Sequence, residues 1–220
     1  MPAWIDKVII YDKIYLLLIV LSIGTLLFGY KTLTKNLKVL LLFAAAHFTT
    51  EFGSLYIHYG LGRDNYLIYH LFACIGYGLL AAFFFYTLTS KTAIRVVLAS
   101  VPVYWLLWLL YVLTWEPVTE YCALAFMTEH LFMIVFCFAF FRTILTYKQP
   151  YRPEKDRTFW IVTGLFFYFA GNFFILSCYN YIEKHHHDIL TGFYYAGYTF
   201  NYLLYLTIIV TGFVRFPAHD

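Results

Sequence analysis

His47, Glu51, Ser54 and His58 recur at steps of four, three and four inside an otherwise apolar run, VLLLFAAAHFTTEFGSLYIHYG (39–60). At about 100° per residue these four share one stripe of a helix, while Leu41, Phe48, Phe52 and Leu55 spread over the other faces. A carboxylate one turn from an imidazole can trade a proton with it, hold a polar ligand, or give two ligands to a divalent metal. A carboxylate turned to lipid costs on the order of 2.5–3.5 kcal/mol on insertion scales. The seam is therefore expected to face protein or trapped water, and other helices must meet it.

Candidates to meet it lie in four further apolar runs. Tyr66, His70, Ala73 and Tyr77 form a stripe in the next run, and Glu129 with His130 sits about eleven residues into the fifth. Adjacent residues point about 100° apart, so these two must address different neighbours, one the second helix and the other the sixth. Tyr168, Asn172 and Tyr179 share a face, as do Tyr194, Tyr198, Asn201 and Tyr205. By depth along their runs, these groups are expected on the outer side of the membrane centre. The expected pocket is lined by Glu51, His70, Tyr77, Glu129, His130, Tyr168, Asn172, Tyr198 and Asn201. A metal set would draw on His47, Glu51, His70 and His130, with zinc or another divalent ion as occupant.

The elements that must position these residues follow from composition. The chain has 220 residues, 62% hydrophobic and 23% aromatic, only 12% charged, with a mean hydropathy of +0.71, which excludes an ordinary soluble domain. Seven runs approach the roughly 20 residues that cross a hydrocarbon core: 14–30, 39–60, 66–88, 93–115, 118–145, 158–182 and 189–214. The runs lack two-residue alternation, and backbone groups in lipid must bond within their own segment, so the expected fold is all-α, a single polytopic seven-helix domain. Eleven of the Lys and Arg residues (31, 35, 38, 91, 95, 142, 148, 152, 155, 157 and 215) fall at one set of helix ends, against four (7, 13, 63 and 184) at the other. The positive-inside rule then predicts an external N-terminus and a cytoplasmic C-terminus. The net charge of +3 is this topological signal, and no nucleic-acid partner is expected. The first run follows Asp6, Lys7, Asp12 and Lys13 and lacks a small-residue cleavage site, so it is expected to be retained.

Cys74, Cys122, Cys137 and Cys178 lie inside the runs without a CxxC motif. Buried thiols are expected, with a disulfide between Cys122 and Cys178 as the alternative. The first run has no ionisable group in its middle and reads as structural. The fourth contains Pro102, where a kink is expected, and reads as a spacer. The segment 146–157, TYKQPYRPEKDR, is a basic linker or a docking surface for a cytoplasmic partner. The external loop 183–188, EKHHHD, offers three histidines, although neighbouring residues seldom ligate one ion well. At an offset of 121 positions Phe48, Phe52, Leu55 and Phe72 land on Phe169, Phe173, Leu176 and Phe193, and Gly76-Tyr77 on Gly197-Tyr198. That echo suggests a 3+1+3 pseudo-repeat.

Three functional readings compete with a bland one, in which Glu51 pairs with His130, or Glu129 with His70, only to fix helix register. The favoured one is a non-catalytic, receptor-like module: an outer pocket binds a small ligand or ion and the cytoplasmic loops pass a helix shift to a partner. A metal-dependent intramembrane hydrolase would use the His/Glu ligands, but no HExxH is present. A proton-coupled transporter would use Glu51 and Glu129 as carriers, but the inner half offers no polar lining. Retinal is not expected, because no lysine stands mid-span in the seventh run. The pattern of seven-helix ceramidase-like hydrolases is incomplete, since that run has no histidine.

Phe159-Trp160-Ile161, Gly164-Leu165, Tyr168-Phe169 and Gly171-Asn172-Phe173-Phe174, together with Glu51 in the second run and Tyr69-His70 opening the third, carry one further likeness. On these residues the chain resembles a group of uncharacterised bacterial seven-helix inner-membrane proteins. The resemblance implies a bacterial cytoplasmic membrane and, from the genes beside some members, a link to signalling. It transfers no catalytic residue.

Overall fold

A computed structural model describes residues 4–146, 152–185 and 187–213. Residues 147–151 of the expected docking segment, with Lys148, His186 and Arg215, lie outside the described residues, as do the side chains of Tyr179, Lys184, His185, His187 and Tyr194. Seven helices are long and apolar enough to cross a bilayer, and no strand occurs among the described residues: the chain is a multi-pass, all-helical membrane protein. The helices are α1 (Ile10–Phe28), α2 (Lys35–Leu55), α3 (Tyr66–Thr87), α4 (Lys91–Thr114), α5 (Ala123–Leu145), α6 (Arg157–His185) and α7 (His187–Phe213).

Six of them close a ring. In order around it, α1 packs on α2, α2 on α3, α3 on α5, α5 on α6, α6 on α7, and α7 returns to α1. The fourth helix stands outside, against α3 and α5, and is the least buried span at 17% of its window. Its joint to α3 is aromatic: Tyr77 stacks on Tyr104 with centroids 3.9 Å apart and donates a 2.6 Å hydrogen bond to Ser100. The described helix runs through Pro102 without interruption. Because lipid is as apolar as leucine, close backbone approach and interhelical hydrogen bonds must hold such a ring. Gly171 supplies the approach between α6 and α7, where a Cβ would stand 2.4 Å from the Phe200 ring. Asn36 supplies bonds at the basic end, its amide reaching Thr87 at 3.2 Å and Thr158 at 3.4 Å and so tying α2 to α3 and α6.

Four expected boundaries are corrected. The first helix begins at Ile10, because Asp12 and Tyr15 face the bundle rather than water. The second begins at Lys35 and continues past Leu55 as a π-helical turn, Tyr56–Gly60, leading to Gly62 at φ +63°, which glycine adopts without strain. The fifth begins at Ala123, not at 118: Glu116 folds back and both its oxygens accept from the Leu124 N–H, at 2.9 and 3.0 Å, capping the helix start. Of the expected loop 183–188, residues 183–185 belong to the end of α6 and 187–188 to the start of α7, with His186 outside the described residues. All four cysteines are free, so the alternative bridge from Cys122 to Cys178 is absent.

Candidate functional site

The stripe on α2 does point into the ring, and α1 and α7 meet it. His47 lies at the centre of a knot in which Nε2 is 3.3 Å from Glu51 Oε1 and 3.3 Å from the Tyr15 hydroxyl, while Nδ1 is 2.6 Å from the Tyr205 hydroxyl. With the carboxylate as acceptor, Nε2 carries the hydrogen and Nδ1 accepts from Tyr205. The network continues outward: Tyr69 donates to Glu51 Oε2 at 3.3 Å, Ser54 to Tyr69 at 2.9 Å, and Asn65 to Ser54 at 2.6 Å. A second link joins the neighbouring helices α7 and α1, where Tyr198 donates to Asp12. A third joins α6 to α7 through Asn172, whose amide donates to Asn201 Oδ1 at 3.2 Å and to the Tyr168 carbonyl at 3.0 Å.

These networks wall a funnel of two adjoining cavities. The outer cavity, about 440 Å³, is lined by Asp12, Glu51, His58, Asp64 and Tyr198 among others, and no Lys or Arg occurs among its described lining residues. The inner chamber, about 110 Å³, is lined by His47, His130 and Tyr168. Tyr15, Glu51, Tyr69, Asn172 and Asn201 border both. The π-helical turn places His58 and Tyr59 on the outer rim. Beneath the chamber each ring helix contributes one apolar side chain: Ile19, Phe43, Leu80, Met133, Leu165 and Ile208 are all at most 2% exposed. Beyond the chamber-lining residues, buried apolar side chains therefore replace the polar lining.

Six of the nine expected pocket residues border the funnel: Glu51, His130, Tyr168, Asn172, Tyr198 and Asn201. His70, Tyr77 and Glu129 do not, and each has a different reason. The His70 ring turns to the segment before α5 and donates through Nε2 to the Glu120 carbonyl at 3.0 Å. Tyr77 is taken up by the α3–α4 joint. Glu129 is 3% exposed, lies within electrostatic range of Cys74 and Tyr77 on α3 and of Tyr104 on α4, and its Oε2 has no partner. His130, one residue along, faces α6, packing against Tyr168 and Phe169. His130 thus borders the chamber and Glu129 does not, and Glu129 lies within electrostatic range of groups on α3, α4 and α6.

The metal set His47, Glu51, His70 and His130 does not assemble. The first two touch and the third is turned away, while His130 holds Nδ1–H on the Phe126 carbonyl at 2.6 Å and borders the chamber with its other face. Among the described residues no three His, Cys, Asp or Glu side chains gather where an ion could be held. Three residues of the knot and rim, Asp12, Tyr15 and Tyr205, stand outside the expected set. The signal for the first two was present: Asp12, Tyr15, Ile19, Ser22 and Leu26 recur at steps of three and four and are the buried face of α1.

The arrangement can do two things chemically. It can desolvate a small polar molecule between carboxylates and tyrosine rings, and its knot can respond to an occupant by changing which hydroxyl His47 engages. No family model, curated protein or solved structure matches the chain.

Proposed function

We propose that the chain is a receptor-like membrane protein whose funnel binds a small polar ligand from outside the cell and whose opposite, basic end passes a helix shift to a cytoplasmic partner. The observation that carries this reading is the polar funnel, of a size typical for small-molecule sites, with buried apolar side chains from all six ring helices further in. A transporter needs a second polar access from the far side, and the apolar floor argues against one. A metal hydrolase needs a third ligand beside His47 and Glu51; His70 is turned to the Glu120 carbonyl, and no group of three His, Cys, Asp or Glu side chains able to hold an ion occurs among the described residues.

The eleven-to-four distribution of Lys and Arg supports a cytoplasmic basic end and an external funnel mouth, in a cell inner membrane. The peripheral placement of α4 supports a linker between two three-helix halves. Of the docking segment 146–157, the described part carries a short turn at Pro153–Lys155, and Asp156 caps α6 by accepting from the Thr158 N–H at 2.7 Å. A partner bound there would pull directly on α6, which carries Tyr168 and Asn172.

The test is ligand-induced thermal stabilisation of detergent-purified protein across a library of small polar compounds, beside Gly197→Phe, which fills the outer cavity at a residue on its wall. Compounds that stabilise the parent and not the variant are expected. A library without such a compound would end the reading.

A further inference from the structure

The funnel's open hydrogen-bonding positions have a bias that fixes the class of its occupant. His130 is 4% exposed and borders the inner chamber, and its Nδ1–H is committed to the Phe126 carbonyl. Its Nε2 is therefore a lone pair without a protein partner, set where only an occupant can meet it. Asn172 has spent its amide hydrogens on Tyr168 and Asn201, leaving Oδ1 as its free position beside Gly197 on the cavity wall. Glu51 borders both cavities with an acceptor-only carboxylate. Asp12 and Asp64 line the mouth, again without a Lys or Arg among the described lining residues. An anionic ligand would meet three carboxylates with the His58 imidazole as the one potential counter-charge among the outer cavity's described lining residues, and a neutral one would leave the carboxylates uncompensated as water is expelled.

We infer that the funnel is a site for a small protonated primary amine, its ammonium hydrogens directed to Glu51 and His130 Nε2 and its organic part held by the tyrosine walls. Ring faces add to this selection, since an ammonium over Tyr is attracted by the ring quadrupole where water is excluded. Tyr15, Tyr69 and Tyr198 present such rings along the path from the mouth to Glu51. This inference rests on the pocket reading proposed above.

The test uses three probes of matched shape on the full-length protein in detergent: phenethylamine, 2-phenylethanol and phenylacetate, with affinity read by titration calorimetry. Partitioning of the aromatic part into micelles is common to all three. Phenethylamine is expected to bind at least about tenfold more tightly than the alcohol, and phenylacetate not measurably, because only the amine pairs with the carboxylates. Glu51→Gln is expected to remove most of the amine's advantage while leaving the alcohol within about twofold. Asp64→Asn, on an exposed turn where it cannot unfold the bundle, should weaken the amine by a smaller factor. Alcohol or phenylacetate binding as tightly as the amine would overturn the inference. If the alcohol binds as tightly and Gly197→Phe abolishes it, the pocket survives and only the amine class falls. If none of the three binds, or Gly197→Phe changes nothing, both fall.

Discussion

Glu51 and Glu129 are two carboxylates in the same bundle with opposite surroundings. The Glu51 side chain is 18% exposed to the funnel and its two oxygens accept from His47 and Tyr69. Glu129 is 3% exposed and borders neither cavity, and its Oε2, like the Tyr104 hydroxyl and the Trp108 indole N–H of α4, is buried without a partner. One carboxylate is integrated in a network that joins four helices, while the other loses solvation without full compensation. Buried polar groups are costly when unpaired and specifying when paired, so the two should respond to mutation with opposite signs.

The largest expected effect is at the paired site. His47→Ala removes the hub on which Tyr15, Tyr205 and Glu51 converge, leaving two hydroxyls and a carboxylate to find other partners. A loss of about 3 kcal/mol is expected in SDS-denaturation equilibria, since each orphaned polar group costs about 1–3 kcal/mol before relaxation. A variant as stable as the parent would mean that the knot is incidental to the fold. Glu129→Leu should go the other way, gaining about 1–2 kcal/mol, because an apolar side chain of similar length removes an unsatisfied group from the interior. A loss there would show that Glu129 has a partner beyond the protein's own atoms, and the contrast between the carboxylates would disappear.

The same contrast explains how far the residues alone could lead. Spans follow from composition, because a bilayer imposes one solution on a long apolar run, and the seam on α2 follows from spacing alone. Depth along a run is equally legible, which is what sets the expectation of His70, Glu129 and His130 at mid-span or outward. Depth gives height in the bundle but not direction around the helix axis, and it is direction that separates His130, on the chamber, from Glu129, behind it. The closure of the ring by α7 against α1 is a non-local packing choice, which is why Asp12, Tyr15 and Tyr205 were left out of the expected site. Asp12 was also hidden by Lys13 beside it: together they resemble a solvated flank, whereas the three-four spacing that continues through Tyr15 to Leu26 marks a buried face.

Smaller effects sharpen the comparison by separating the funnel's rim from its hub. Tyr198→Phe deletes the hydroxyl that donates to Asp12 and keeps the ring, so it should cost about 1 kcal/mol of stability, well below His47→Ala. Tyr198→Phe breaks one described hydrogen bond, whereas His47→Ala breaks three. A cost equal to that of His47→Ala in the same denaturation assay would place Asp12 in the hub instead.

The smallest expected term is the link between Asn172 and Asn201, the one side-chain bond described between α6 and α7 within the funnel wall. In the double-mutant cycle of Asn172→Ala and Asn201→Ala a coupling of about 0.6 kcal/mol is expected, the average for interhelical hydrogen bonds in membranes. It should stay small because the packing of α6 on α7 rests on the Gly171 contact with Phe200, which neither substitution touches. An occupant bonded to the free Oδ1 of Asn172 would hold that amide in its present orientation and raise the coupling. Measuring the cycle with and without phenethylamine therefore asks whether the funnel wall and its ligand act as one unit. An unchanged coupling would confine the ligand's contacts to the carboxylate side of the cavity.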